Sequence, residues 1–346
     1  MQNNIFGKQT LKLEGIRSLP LWRGVYVFFA ITLSLLLIAE ILARTPLGYY
    51  LPPPSVGVDS FEFDTKVYYL EQSIRQHGQL DCLILGDSMT NNGPNPRLIE
   101  EAYQAETGSP IHCFNFGLPA LFLDASGPLA EALVNRFHPK LLILILSPRD
   151  FETSVDFPVR HVASTDWAGQ NLGSPSLRGW AVNSLYGYRY LLSFLYWLTP
   201  SNRMQILDTW HSITREGLAP LHGSGEPRQL PPPGLTFQRT YTPAQEGFDR
   251  LLELKDNGQN ILIIDALIQP DEYSAHQDLY FQPYVDYMQN TLAAHDIPFW
   301  LTKNLSDRIS SDGWYDLQHI NEKGVPVLSA WLGKQLAREY PPEFFE

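Results

Sequence analysis

The run Leu141–Ser147 (LLILILS) is apolar at its first six positions, so neither alternation nor a helical repeat gives it a polar face. A segment that short is comfortable only where both faces are covered, as in a parallel sheet flanked by helices. Two other stretches read the same way: Leu83–Leu85 within LDCLILGDS, and NILIIDALI at residues 260–268. IHCFNFGLPA opens as a further strand, and IPFWL as a short one. Amphipathic stretches lie among them, at about 63–76, 97 onward, 126–137, 243–257, 280–295 and 322–339. Strands alternating with helices predict an α/β domain: a three-layer, flavodoxin-like fold with a central parallel sheet and helices on both faces.

The chain has 346 residues, 44% hydrophobic and 18% charged, enough for one large core and additional segments. Its formal net charge of -12 argues against a nucleic-acid partner, which would call for a basic face. No Cys/His cluster has zinc spacing and no glycine-rich loop has the phosphate-binding form, so no metal or cofactor is expected. The two cysteines, Cys82 and Cys113, sit inside neighbouring strands. Strand-interior cysteines are most often simply buried, so free thiols are expected, although a disulfide is permitted outside the cytoplasm.

A polar, basic stretch (residues 1–20, with Lys8, Lys12 and Arg17) precedes GVYVFFAITLSLLLIAEILA at 24–43. Twenty helical residues rise about 30 Å, the thickness of a bilayer's hydrocarbon layer. A cleaved signal peptide usually has a shorter apolar core and a small-x-small cleavage site, and a core helix would be amphipathic. The reading is therefore one transmembrane anchor over 21–44, in the plasma or inner membrane. The positive-inside rule leaves residues 1–20 in the cytoplasm and everything after Arg44 outside. Residues 45–60, with Tyr49, Tyr50 and Pro52–Pro54, read as a stiff linker, and 61–346 as the extracytoplasmic domain. Within it, residues 151–242 break the strand–helix rhythm. They read as an insertion over the crevice with an apolar helix at 181–198, closed by the Pro231–Gly234 run (PPPG). It is either a lid or substrate platform or a structural elaboration without substrate contact; its aromatics also suit a membrane surface.

Ser88 follows the strand 83–85, at the end that faces the ligand crevice of an open α/β sheet. Asp87 and Ser88 are also residue types that merely cap or turn a chain. Residues Asn91 to Asn95 read as a turn before the helix begun by Pro96 and Arg97. Far downstream, DGWYDLQHINEKG holds Asp316 and His319 just before the last helix. Three-residue spacing lets the carboxylate orient the imidazole, which can then serve as base to a serine hydroxyl.

Serine after the first strand, with Asp and His together before the last helix, resembles the SGNH (GDSL-like) hydrolase superfamily over about residues 80–340. The resemblance implies that Ser88 is the nucleophile, His319 the base and Asp316 its orienting acid. It implies an oxyanion hole built from the Ser88 N–H, a glycine N–H after the second strand and an asparagine after the third. Counting from Asn115 along NFGLPA, the glycine position falls on Ala120, with Gly117 as the other candidate. Ser147-Pro148-Arg149-Asp150 puts Arg149 where the asparagine commonly stands. Arg149 then either donates to the oxyanion, binds an anionic group, or pairs with Asp150 or a nearby acid for structure. The S-P-R-D-F run, with Asp316, His319, Asn321 and Gly324 in D-x-x-H-x-N-x-x-G, resembles a membrane-anchored branch similar to the DUF1574 group. It is distantly similar to the DltD and AlgX/AlgJ proteins associated with O-acyl transfer on envelope polymers. The function implied is an esterase or O-acyltransferase on a cell-envelope glycan. The partners implied are the bilayer, an acylated or acceptor glycan and a membrane acyl-exporting protein. A plain esterase or lipase using water, and a binding or scaffold protein with a decayed site, are the alternatives.

Overall fold

The computed structural model describes residues 19–45, 51–152, 158–225, 235–239 and 241–346. The basic segment with Lys8, Lys12 and Arg17, the Tyr49–Tyr50 pair and the Pro231–Gly234 run lie outside these residues. The chain divides into two units, one ending at Leu51 and the other running from Pro52 to Glu346.

The first unit holds helix α1 (Leu19–Ala43), whose side chains from Trp22 to Leu42 are mostly exposed on every face. It is the one helix among the described residues that is long and apolar enough to cross a membrane. The carboxylate of Glu40 near its end is paired with Arg44 at 2.6 Å, which reduces the cost of placing that acid in an apolar helix.

In the second unit, α2 (Phe61–His77) is capped by Ser60, whose side chain accepts from the Phe63 N–H. Then come β1 (Cys82–Gly86), α3 (Ser88–Asn92), α4 (Pro96–Thr107), β2 (Cys113–Asn115), α5 (Leu123–Phe137) and β3 (Leu141–Leu146). The insertion carries α6 (Asp166–Asn171), α7 (Leu177–Ser184), α8 (Tyr186–Trp197) and α9 (Pro200–Ser212). The alternation resumes with α10 (Thr242–Asp256), β4 (Ile261–Asp265), α11 (Pro270–His276), α12 (Gln282–Ala293), β5 (Phe299–Trp300), α13 (Lys303–Ser306) and α14 (Val325–Glu339).

The five strands pair in parallel in the order β2-β1-β3-β4-β5. This is the doubly wound order whose switch point, between β1 and β3, opens a crevice at the strands' C-terminal ends. Every residue of β1, β3 and β4 is buried, as their unbroken apolar runs require. Alternate side chains, Ile84, Ile143 and Leu262 among them, pack with Ile99 and Tyr103 of α4 and Leu332 and Leu336 of α14. The intervening ones turn to the opposite face. There α5 and α10 pack so closely that Gly127 and Gly247 meet backbone to backbone, leaving no room for a Cβ on either.

Four local expectations are corrected. Cys82 and Cys113 are joined as a disulfide rather than left as thiols. They are register partners in adjacent parallel strands with Cα atoms 4.5 Å apart, within bridging range. The expected helix over 181–198 is two, α7 and α8, because Leu185 adopts extended angles between them. Asn91 and Asn92 belong to the short helix α3 and not to a turn. Pro53–Val56 and Val58, expected as part of a stiff linker, are buried in the second unit, with the Val56 N–H donating to Asp64 at 2.7 Å. The N-terminal apolar helix, a signal or an anchor, and the disulfide together suggest an extracytoplasmic domain.

Candidate active site

Gly86 ends β1, and Asp87 becomes the N-cap of α3 by accepting the Met89 N–H at 2.8 Å. That cap sets Ser88 at the first position of α3, where a backbone N–H has no partner within the helix. On the other side of the crevice a bridge between Trp314 and Ile320 closes a tight loop. Within it the Asp316 carboxylate accepts the N–H groups of Gln318 and His319, each at 2.9 Å, and so is fixed before it meets the ring.

The structure brings the two segments together. His319 Nδ1 lies 2.8 Å from Asp316 Oδ1 and 3.0 Å from Oδ2, and Nε2 lies 2.8 Å from Ser88 Oγ. Burial would raise the Asp316 carboxyl, but its hydrogen bond to His319, the attraction of that ring in its protonated form and the backbone donors hold it down to about 2. An ionised carboxylate only accepts, so Nδ1 carries the ring proton and Nε2 is left to accept from the serine hydroxyl. His319 and Asp87 are buried, while Ser88 keeps partial exposure.

Among the candidate oxyanion donors, Gly117 does not qualify. Its N–H is spent on Asn115 Oδ1 at 2.9 Å, and its missing Cβ lets the turn lie against the backbone of Thr90 and Asn91. Asn115 is itself consumed, its side-chain amide bonding Thr90 O and Pro94 O at 2.8 Å each. Ala120 takes a left-handed conformation with φ 57°, one that glycine adopts most easily, and its N–H has no acceptor among the described residues. Arg149 follows β3 and reaches Gln318 Oε1 at 3.3 Å, between Asp316 and His319 in sequence, while its guanidinium lies 5.8 Å from the Phe122 ring. No ion pair joins it to Asp150. That carboxyl instead receives the Ser147 N–H at 2.6 Å and hydroxyl at 3.0 Å. Burial, and then the charge of Asp87, push Asp150 well above the usual carboxylate range. Asn321 clamps the Asp/His loop, its amide bonding Gly223 O at 2.7 Å and Asp312 O at 2.9 Å.

Sequence reading passed over three contributors. Lys66 of α2 is fully buried, and its ammonium donates to Asn91 Oδ1 and Gly117 O at 2.5 Å each. It thereby ties the serine helix to the turn that carries Ala120. Burial pulls Lys66 down to about 7 against the opposing charge of Glu62, which accepts from Asn91 Nδ2 at 2.7 Å. Its signal was a lysine inside the apolar stripe Phe63, Val67, Leu70. The insertion's return segment is the second: Ala219 exchanges bonds with Asn91 and Asn92, and Leu221 O accepts from Glu322, so it straps the two halves of the site. The third is Asp265, an acid ending a wholly apolar strand. It lines a cavity of about 10 Å³, room for about one water, beside Met89 and Gln318. A far larger hollow of about 510 Å³ lies against Trp300, Arg308 and Trp331, and none of Ser88, His319 and Asp316 lines it. Chemistry outweighs size here, because the titratable residues lining that hollow are Arg308 and Glu339, with no serine, cysteine or histidine among them. No cluster of His, Cys, Asp and Glu suited to a metal ion occurs among the described residues.

Compared with known proteins, the chain matches no family model, and no curated protein matches it. What is established is an α/β domain with a five-strand parallel sheet, bearing a Ser–His–Asp hydrogen-bond series at the crevice end of β1.

Proposed function

We propose that the protein is a membrane-anchored, extracytoplasmic serine esterase or O-acyltransferase of the SGNH type, acting on a cell-envelope glycan or polymer through an acyl-serine intermediate. The observation that carries this reading is the unbroken series Ser88 Oγ–His319 Nε2–Asp316, at the crevice of a doubly wound sheet. Ser88 Oγ attacks the ester carbonyl carbon while His319 Nε2 takes its proton. The oxyanion forms against the N–H groups of Ser88 and Ala120, with the Arg149 guanidinium as third donor. Collapse breaks the bond to the leaving oxygen, to which His319 returns the proton, leaving the acyl group on Ser88. A glycan hydroxyl or water then attacks the acyl-serine by the reverse sequence. Asp316 keeps the proton on Nδ1 and stabilises the imidazolium. Asp87, Asn115, Asp150 and Asn321 hold the backbone of the site.

A fluorophosphonate probe tests this directly. Ser88 is the residue expected to be labelled in the full chain, and Ser88→Ala is expected to remove the label; labelling elsewhere refutes the assignment. Product analysis with a glycan acceptor present separates transfer from hydrolysis. For the topology, with the N-terminus in the cytoplasm, protease added to spheroplasts is expected to digest the domain after Arg44. Full protection of that domain overturns the orientation.

A further inference from the structure

Helix α8 is built with its polarity reversed. It buries Tyr186, Arg189 and Ser193, while Leu191, Phe194, Leu195 and Leu198 at its outer side are 55, 59, 59 and 64% exposed. These four follow the i, i+3, i+4, i+7 spacing of a single helical stripe. On α7, Leu177 and Trp180 are exposed too. In water an amphipathic helix turns such a stripe inward. Here Glu71 of α2 holds the polar side in, accepting from Arg189 at 2.6 Å, so the apolar side is committed outward.

We infer that this outer face of α8, with the start of α7, rests in the interfacial layer of the membrane. The inference builds on the anchor reading of α1. Two observations choose lipid as the occupant. First, although the chain is acidic overall, no Asp or Glu occurs between Asp166 and Asp208, a stretch that contains Arg178, Arg189 and Arg203. Arg203 is exposed, and so is Arg178, which pairs with Asp166 at 3.2 Å. Arg189 is buried and Arg178 is paired, and Asp59 bonds Tyr196 at the end of the helix. The exposed Arg203 is therefore the cation this stretch offers an anionic leaflet, beside an apolar stripe that suits the interfacial layer. Second, the chain that follows the anchor is bonded to the buried side of this same helix. The Ser55 N–H donates to Ser193 Oγ at 2.6 Å, and that hydroxyl in turn lies 3.4 Å from Pro53 O. Only residues 44–52 separate Pro53 from the end of α1, a tether of at most about 35 Å. Half-buried Tyr196 and Trp197 at the end of α8 are residue types favoured at the headgroup level.

The test uses the full chain in vesicles of phosphatidylcholine and phosphatidylglycerol, with an environment-sensitive fluorophore on a single introduced cysteine. The variants are Leu195→Cys on α8, Leu36→Cys on α1 and Glu253→Cys at an exposed position of α10. Interfacial burial of 5–10 Å is expected to make bromolipid quenching at 195 about threefold that at 253. Quenching at 36 without quenching at 195 overturns the docking and leaves the anchor standing. Absence of quenching at both overturns both. A blue shift at 195 that depends on protein density, without quenching, assigns the face to a second copy and also overturns the proposal.

Discussion

Two groups of buried polar side chains lie in the second unit. In the crevice, Asp316 is held down to about 2 by His319, which bonds a serine that keeps partial exposure. Between α2 and α8, Glu71 is held down to about 2 as well, against its burial, by Arg189, Arg136 and the Tyr186 hydroxyl. By displacement of the acid the two are equals, and Glu71 is the more buried residue, so neither property marks a site. What differs is the partner. Arginine keeps its charge throughout and has no proton to exchange, whereas an imidazole takes and returns one. The first group ends on a serine hydroxyl at the crevice; the second ends on further arginines, half-buried Arg136 and exposed Arg75, the latter donating to the Tyr186 hydroxyl. The proposed reaction draws on the first, and the second fixes α8 with its apolar side outward.

The largest effects should separate the groups most cleanly. Ser88→Ala or His319→Ala is expected to lower ester turnover by on the order of 10⁴-fold or more. Ser88→Ala should change folding stability by less than about 1 kcal/mol, whereas His319→Ala removes the partner that holds Asp316 down and should cost on the order of 1–2 kcal/mol at neutral pH. Combining the two should cost little beyond the worse single change, since they act as a unit. Arg189→Met should do the opposite, costing about 3–5 kcal/mol by leaving Glu71 buried with a lost partner, while turnover per folded molecule persists. Adding Glu71→Gln should recover part of that stability in a denaturant titration. An Arg189 variant that stayed fully stable but lost turnover would collapse the distinction between the two groups.

Arg149 tests where the boundary of the crevice group lies. If its guanidinium supports the oxyanion, Arg149→Ala should lower kcat about a hundredfold with KM little changed, and Arg149→Asn should recover part of the rate. A raised, salt-sensitive KM would instead assign it to an anionic acceptor. Unchanged turnover in a well-folded Arg149→Ala protein removes it from the reaction.

How much of this could be read in advance follows from what each signal encodes. β1, β3 and β4 were legible because unbroken apolar runs have one solution, burial on both faces. Ser88, Asp316 and His319 were legible because their residue types and chain order match a known chemistry, though only folding shows the 2.8 Å contacts. The direction of α8 was not legible, because an apolar stripe has the same spacing whether it faces in or out. The disulfide depended on the register of β1 against β2, which the sequence spacing of the two cysteines does not carry. Lys66 read as one more helix lysine, since its acceptors, Asn91 and Gly117, come from two distant segments. The spent N–H of Gly117 and the positive φ of Ala120 are likewise backbone facts.

The last expected effect, on the pH dependence of stability rather than on turnover, concerns Asp265, a buried acid beside the crevice that bonds to neither group. No described residue bonds its carboxyl, and Tyr273 and Tyr284, the titratable groups nearby, are themselves pushed up and stay neutral. Burial alone moves Asp265 up to about 8, against a usual value near 3.9 in an unfolded chain. Between those values the unfolded chain releases the proton and the folded one keeps it, so folding binds more protons and stability falls as pH rises. The decline from this group is on the order of 1 kcal/mol per pH unit in that window and ends once pH passes the folded value. Asp316 acts with the opposite sign, its contribution being lost as pH falls from about 4 through about 2. Asp265→Asn, close in shape but without a proton to release, is therefore expected to flatten the stability profile between pH 5 and 8 and to match the parent protein at the acid end. Denaturant midpoints across that range measure it, and parallel profiles for the two proteins would mean that Asp265 ionises freely or finds a partner the fold does not supply.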